Sequence, residues 1–272
     1  MASMNGTPEL CDTHFHSTSM IDKGLDATAI LRELADADAG PMVDVAIEPE
    51  DFPRRREISG GYPEIVYSAG LHPSRSDRPD WRDAIALCER QVSEYPVHAI
   101  GELGLDWYRE YAPRDRQIEI VEAQLDLARR SDLPVIVHNR EADADIHAVL
   151  RAASLPRGGV MHCYSSTADW VRPFLDLGMY ISFAGNITFP SAGEIRQAVA
   201  EVPADRLLLE TDAPFLAPVP RRGRPNHPGL IVHTYELVAQ LRGTTVPELA
   251  RLVAGNARRL FSIAPASRES VP

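Results

Sequence analysis

Short apolar runs rich in Val, Ile and Leu recur along the chain, and each gives way to a longer stretch whose apolar positions fall at helical spacing. The runs predict strands at 9–16, 41–47, 64–71, 97–102, 133–139, 159–162, 179–183 and 206–212. The intervening stretches predict helices at 26–39, 81–95, 114–131, 142–153, 168–177, 192–202 and 228–241. Between the second and third strands, 52–62 is short and interrupted by Pro53 and Gly60-Gly61, so it predicts only a brief, irregular helix. Strand and helix alternating in this way indicate βα units around a parallel sheet. Eight such units in 272 residues fit the α/β class and a single (β/α)8 TIM barrel. Near the end, Thr245 and Glu248 have the spacing of a capping box, with Pro247 tolerated in the first turn. An extra C-terminal helix is expected there, running to about Phe261 and packing across the barrel. No composition break or linker divides the chain, so 1–272 reads as one domain, with 1–7 and 265–272 as loose tails.

Charge narrows the function classes. Lys plus Arg is 28 against 39 Asp plus Glu, a formal net charge of −11. That argues against a broad surface coating nucleic acid, but leaves room for a local phosphate site where bound metal outweighs the global charge. No apolar run is long enough to span a membrane, and the start of the chain lacks the pattern of a secretory signal. Cys11, Cys88 and Cys163 form neither zinc-type spacing nor an even disulfide set, which points to a reducing cytoplasm.

The titratable residues change the picture most, because they fall at predicted strand ends, where barrel active sites form. His14 and His16 end the first strand. Alternation puts them on one face, about 7 Å apart, able to grip one metal ion. Asp12 shares that face one step deeper and could orient a ligand histidine. His72 follows the third strand, Glu102 ends the fourth, His138 the fifth, His162 the sixth and Asp212 the eighth. Four histidines and two carboxylates (His14, His16, His138, His162, Glu102, Asp212) exceed one tetrahedral site. They suit two divalent ions sharing a bridging carboxylate, with positions open to water and substrate.

The same residues carry a resemblance. Asp12-Thr13-His14-Phe15-His16, Gly70-Leu71-His72-Pro73, Gly101-Glu102-Leu103-Gly104-Leu105-Asp106, Val137-His138-Asn139-Arg140, His162-Cys163-Tyr164-Ser165 and Glu210-Thr211-Asp212-Ala213-Pro214 resemble, in order, the motifs of the TatD family of metal-dependent deoxyribonucleases. That family lies within the amidohydrolase-like metal-dependent hydrolases. Asn256-Ala257-Arg258-Arg259-Leu260-Phe261 resembles its closing helix. The resemblance implies that His14, His16 and Asp212 hold a first ion, that His138 and His162 hold a second, and that Glu102 bridges both. It implies attack on phosphorus by a metal-bound hydroxide, with Asp212 a candidate proton acceptor; zinc, manganese or magnesium would serve. Phe15 replaces a smaller residue between the histidines and should point away from the metals. His227 stands where an acidic residue is more usual, and 47–61 is not family-like.

Secondary candidates surround this set. His72 is placed to contact a substrate phosphate and to act in catalysis, the alternative being a turn histidine before Pro73. Arg140, two residues beyond His138 on the same face, could bind substrate phosphate; Arg221, Arg222 and Arg224 could do so or stay solvated. Glu210 reads as an acceptor behind the ligands, Asp106 as an orienting group or a loop cap, Trp107 and Tyr108 as base-stacking or packing groups, and Cys163 as a buried inert thiol. The leading function is cleavage of DNA phosphodiesters, as an exonuclease on single-stranded ends, with no membrane and no obligate protein partner. Metal-hydroxide chemistry serves acyl centres equally, so a hydrolase of a small ester, amide or lactone stands beside it. A metal-stabilised binding protein without turnover is the third reading.

Overall fold

The computed structural model describes residues 9–37 and 39–264, so the expected tails at 1–7 and 265–272 lie outside the described residues. Eight parallel strands run in the order of the chain: β1 (Asp12–Phe15), β2 (Met42–Asp44), β3 (Ile65–Ala69), β4 (Val97–Asp106), β5 (Val135–Arg140), β6 (Gly159–Met161), β7 (Met179–Phe183) and β8 (Leu207–Leu209). The ring closes where β8 returns to β1. Phe15 bridges Ala213, the His16 N–H donates to the Ala213 carbonyl (2.8 Å), and the Asp212 N–H donates to the His14 carbonyl (2.9 Å). This is the expected (β/α)8 barrel. The strands are largely buried on both faces because each is covered by helices outside and by the other strands inside.

The helices between them are α1 (Ser17–Asp22), α2 (Ala27–Asp36), α3 (Phe52–Ser59), α4 (Trp81–Glu94), α5 (Arg114–Ser131), α6 (Asp143–Ala153), α7 (Val171–Asp176), α8 (Gly193–Glu201), α9 (Val232–Arg242) and α10 (Val246–Phe261). α1 was not expected: Ser17-Thr18-Ser19 carries no helical apolar period, and its helix is tied down by tertiary bonds, Ser17 Oγ donating to the buried Asp44 carboxylate (2.6 Å). The brief helix expected in 52–62 is α3 (Phe52–Ser59), entered through a 3-10 turn at Pro49–Asp51. Its wholly buried Arg55 donates to the carbonyls of Asp44 (2.9 Å) and Ser68 (3.0 Å), capping the ends of β2 and β3.

The C-terminal helix α10 begins as expected at a Thr245–Glu248 capping box. It lies at the N-terminal ends of the strands. Arg258 pairs with Glu9 and Glu64 (3.2 Å each), and Asn256 donates to the carbonyls of Ala204 (2.8 Å) and Leu207 (2.9 Å). Buried Leu249, Val253, Leu260 and Phe261 seal that end, each contributing about 1.5–3 kcal/mol. Among the described residues the cavity of the barrel opens at the opposite, C-terminal end. Among the described residues no helix is long and apolar enough to cross a membrane.

Candidate metal centre

Glu102 does not end a strand, as the sequence suggested. β4 continues through it to Asp106, and its register against β5 shifts between Ile100 and Leu103. Two glycines make the irregularity possible. Gly101 (φ +152°) and Gly104 (φ +151°) adopt conformations that side-chain-bearing residues rarely reach, and a Cβ on Gly104 would lie 1.9 Å from the His138 carbonyl oxygen. The shifted strand is held by Ser68 Oγ, which donates to the Gly101 carbonyl (2.5 Å), and by the Glu102 N–H, which donates to the Ala46 carbonyl (3.1 Å).

The result aims a buried carboxylate at five imidazoles, and its two oxygens divide them. Oε2 faces His14 Nε2 (3.3 Å) and His16 Nε2 (3.5 Å). Oε1 faces His162 Nε2 (2.8 Å), His138 Nδ1 (3.0 Å) and His72 Nε2 (3.4 Å). Asp212 Oδ1 joins the first group, 3.6 Å from His16 Nε2 and 3.9 Å from His14 Nε2. All six expected ligand residues and His72 are thus brought together.

The opposite ring nitrogens fix which atoms can bind a cation. His16 Nδ1 must donate to the Val45 carbonyl (3.0 Å), so a neutral His16 turns an Nε2 lone pair toward Glu102. His162 Nδ1 lies on Glu210 Oε1 (3.0 Å) and His138 Nε2 on Asp106 Oδ2 (3.1 Å), with the same consequence for their other nitrogens. Glu102 therefore meets lone pairs that only protons or a cation can reconcile. In the metal-free state the surrounding carboxylates favour protons there. Burial disfavours charge on His162, but Glu102 and Glu210 outweigh it and raise its pKa well above the usual value. Burial likewise opposes charge on His138 and His16, and Asp106 and Glu102, or Asp212 and Glu102, overcome it and raise both. Burial, with the charge of His162, pushes His14 down to about 3. A nitrogen-rich donor set around a shared carboxylate fits divalent metal ions. His72 differs: its Nδ1 accepts from the Ser74 N–H (3.0 Å), so its Nε2 carries the hydrogen and is a donor.

These groups floor a cavity of about 730 Å³. Arg140 and Arg109 line it and stand over the Tyr108 ring, 4.2 and 5.5 Å from its centroid. Several sequence expectations are corrected here. Asp12 orients no imidazole: it accepts from the backbone N–H groups of Thr211 (2.9 Å) and His14 (3.2 Å) and from the Thr211 hydroxyl (2.6 Å), because β8 wraps round to meet β1. Asp106 plays both of its alternatives, holding His138 and capping the N–H groups of Tyr108 (3.1 Å) and Arg109 (2.7 Å). Trp107 packs inward and donates to Asp145 (2.9 Å). Cys163 is half-buried and lines the cavity rather than being enclosed, yet burial and the surrounding carboxylates push its thiol pKa well up, so it is no nucleophile. Arg221, Arg222 and Arg224 are exposed and outside the cavity lining. Sequence reasoning missed Tyr111 and Phe215, which line the cavity; Phe215 directly follows Asp212-Ala213-Pro214.

A family model described as TatD related DNase matches residues 11–262. The chain belongs to the TatD family of metal-dependent hydrolases. It is 37% identical over 266 residues to the uncharacterised metal-dependent hydrolase YcfH of Escherichia coli K12, covering 96% of this chain and 99% of that protein. It is 36% identical over 248 residues to the 3′-5′ ssDNA/RNA exonuclease TatD of Pantoea vagans, covering 88% and 94%. The crystal structure of YjjV, a TatD homologue from Escherichia coli K12, superposes with a TM-score of 0.86 at 32% identity, covering 94% of this chain and 99% of YjjV. TatD-family membership makes this chain a metal-dependent hydrolase.

Proposed function

We propose that this TatD-family hydrolase is a two-metal phosphodiesterase that removes nucleotides from single-stranded DNA ends, acting in the cytoplasm as one barrel domain. The observation that carries the reading is the division of the Glu102 carboxylate. Oε2 faces His14 and His16, which Asp212 also approaches, and Oε1 faces His138, His162 and His72, an arrangement that supports one carboxylate shared between two metal positions. His14, His16, Asp212, His138, His162 and Glu102 would hold divalent ions, zinc or manganese before magnesium on this nitrogen-rich set, and these would supply Lewis acidity for activating water and polarising a phosphoryl oxygen.

The protein's own groups do the rest. Asp212, at the cavity floor, takes the proton of the attacking water on a carboxylate oxygen. His72 lines the cavity with its Nε2–H facing Glu102 Oε1 (3.4 Å), from where it would turn to donate to the phosphoryl oxygen on which charge develops. Arg140 and Arg109 meet neighbouring phosphates at the mouth. Those two arginines are local, while the chain carries −11 overall, which favours one strand entering a cavity over a duplex lying on a surface. Relatives named as 3′-5′ ssDNA/RNA exonucleases support the same substrate and the 3′ end. The unpaired cysteines fit a reducing compartment.

The test is chelated protein reloaded separately with magnesium, manganese and zinc, then incubated with end-labelled single-stranded and duplex DNA. A metal-dependent ladder shortening from the 3′ end of single strands is expected. Intact DNA with every metal, together with turnover of a carboxyl ester or lactone, would reassign the enzyme to small acyl substrates. Binding without any hydrolysis would leave a metal-stabilised binding protein.

A further inference from the structure

Two aromatic side chains at the cavity have no role in the chemistry above and little role in the core. Phe215, just after β8, is 42% exposed, and Tyr111, after β4, is 37% exposed. Both line the cavity. β4 and β8 are four strands apart in a ring of eight, so the two rings stand on opposite sides of the mouth. Each lies edge-on to a histidine of the centre: Phe215 to His16 at 6.1 Å between centroids, Tyr111 to His72 at 6.3 Å.

Their backbones are fixed. The wholly buried Asn226 donates from one amide to the carbonyls of Phe215 (2.7 Å) and Thr211 (2.9 Å), and the Phe215 N–H donates to the Asp212 carbonyl (2.8 Å). On the other side Gln117 holds the loop by accepting from the Asp106 N–H (3.0 Å) and donating to the Ala112 carbonyl (3.0 Å). Rigid backbones that hold large rings out of the core, facing a polar cavity, are a stacking platform in waiting. Tyr108, although more exposed, already carries two guanidinium groups on its ring.

We infer that Phe215 and Tyr111 are two nucleobase-stacking subsites flanking the reaction centre: Phe215 receives the terminal base, Tyr111 the base on the other side of the scissile phosphate. The assignment of ends follows from charge. Every further nucleotide of the strand brings a phosphate, and the arginines that line the cavity, Arg109 and Arg140, stand on the Tyr111 side. The Phe215 side offers Leu216 and Asn186 and suits a nucleoside with no strand beyond it. The inference rests on the single-strand exonuclease reading and adds that the enzyme recognises two unpaired bases, not only a phosphodiester.

The experiment measures kcat/KM of the metal-loaded wild type, Phe215→Ala and Tyr111→Ala on three short single strands. One has all its bases, one has an abasic residue at the terminal position, and one has it at the penultimate position. Metal content is measured in each protein, and Phe215→Trp is the conservative control. Phe215→Ala should lose roughly tenfold or more on the complete strand, the scale of base–aromatic stacking, and nothing relative to wild type on the terminally abasic strand. Tyr111→Ala should show the mirror pattern with the penultimate abasic strand, and Phe215→Trp should retain wild-type values. Losses that persist on the matching abasic strand, or no loss at all, overturn the inference while leaving the nuclease intact. A wild type that cleaves none of the strands defeats the nuclease reading itself, and the inference with it.

Discussion

Replacing Glu102 with glutamine tests the bridge with almost no change of shape. The variant removes the charge that faces five imidazoles and replaces one carboxylate oxygen by an amide that donates. If Glu102 serves both ions, one loses its oxygen ligand and the other keeps only a neutral carbonyl oxygen, and each should weaken by ~100-fold, the upper end of what even an indirect partner costs. With free metal at 1,000 times the wild-type dissociation constant, each ion stabilises the fold by ~4 kcal/mol, and a 100-fold weaker site leaves ~1.4 kcal/mol. The two losses sum to ~5 kcal/mol, which for a chain of this size lowers the metal-induced rise in melting temperature by ~10 °C. The assay is thermal melting of wild type and Glu102→Gln with and without manganese, beside metal content by mass spectrometry. Reading the difference with and without metal in each protein cancels any change in the metal-free state. His138→Ala, which touches only the Oε1 side, should remove about half as much. A Glu102→Gln protein that still holds two ions with the wild-type shift refutes the bridge.

Three further outcomes are expected. Glu210→Gln removes the anion beneath His162 Nδ1 (3.0 Å), and should weaken metal binding by roughly 10–100-fold in competition against a chelator while the far-ultraviolet spectrum stays unchanged. Gly104→Ala drives a Cβ against the His138 carbonyl at a positive φ, and should cost about 3 kcal/mol in urea unfolding as β4 and β5 part beside the centre. Thr245→Ala breaks the capping box of α10 far from the cavity, and should cost about 1 kcal/mol with kcat unchanged.

How much of this was legible depended on whether the controlling interaction was local. β7 (Met179–Phe183) and α5 (Arg114–Ser131) match the expected bounds at both ends, because apolar period and flanking residues mark them without outside help. β4 was cut short at Glu102, because glycines at 101 and 104 weaken the strand pattern beyond it. Only the neighbouring strand shows that the glycines let the backbone approach His138. α1 has no sequence signal of its own and depends on Asp44, 27 residues away from Ser17. The convergence of His14, His16, Glu102, His138, His162 and Asp212 was readable because the barrel presents all strand ends to one place. Their tautomers were readable in part: Glu210 and Asp106 stood out in the sequence as groups behind the ligands, and they do meet His162 and His138, whereas the Val45 carbonyl comes to His16 only through the fold. Phe215 escaped notice for a plainer reason: exposure is a property of the fold, and a phenylalanine beside Pro214 reads as core.

The closing seam of the barrel ties stability to the proposed chemistry. Among the described residues β1 and β8 with its following segment meet through one bridge, Phe15 with Ala213, two backbone hydrogen bonds at His14 and His16, the Thr13 hydroxyl donating to the Leu209 carbonyl (3.1 Å), and the Asp12 clip on Thr211. That is thin beside the extended ladder between β4 and β5. The clip is weakened by its own burial, which raises the Asp12 carboxyl to about 7 against the hydrogen bonds that favour its anion. His14 and His16 stand on one side of this seam and Asp212 on the other. An ion held by all three spans the seam and joins the first strand to the last. The order of the chain makes this a long-range link, 196 to 198 residues apart, of the kind that constrains an unfolded chain most. Metal loading should therefore protect the amides of 12–16 and 210–213 from hydrogen exchange more than those of the β4–β5 ladder. Equal protection throughout would mean that the ion binds a seam already closed.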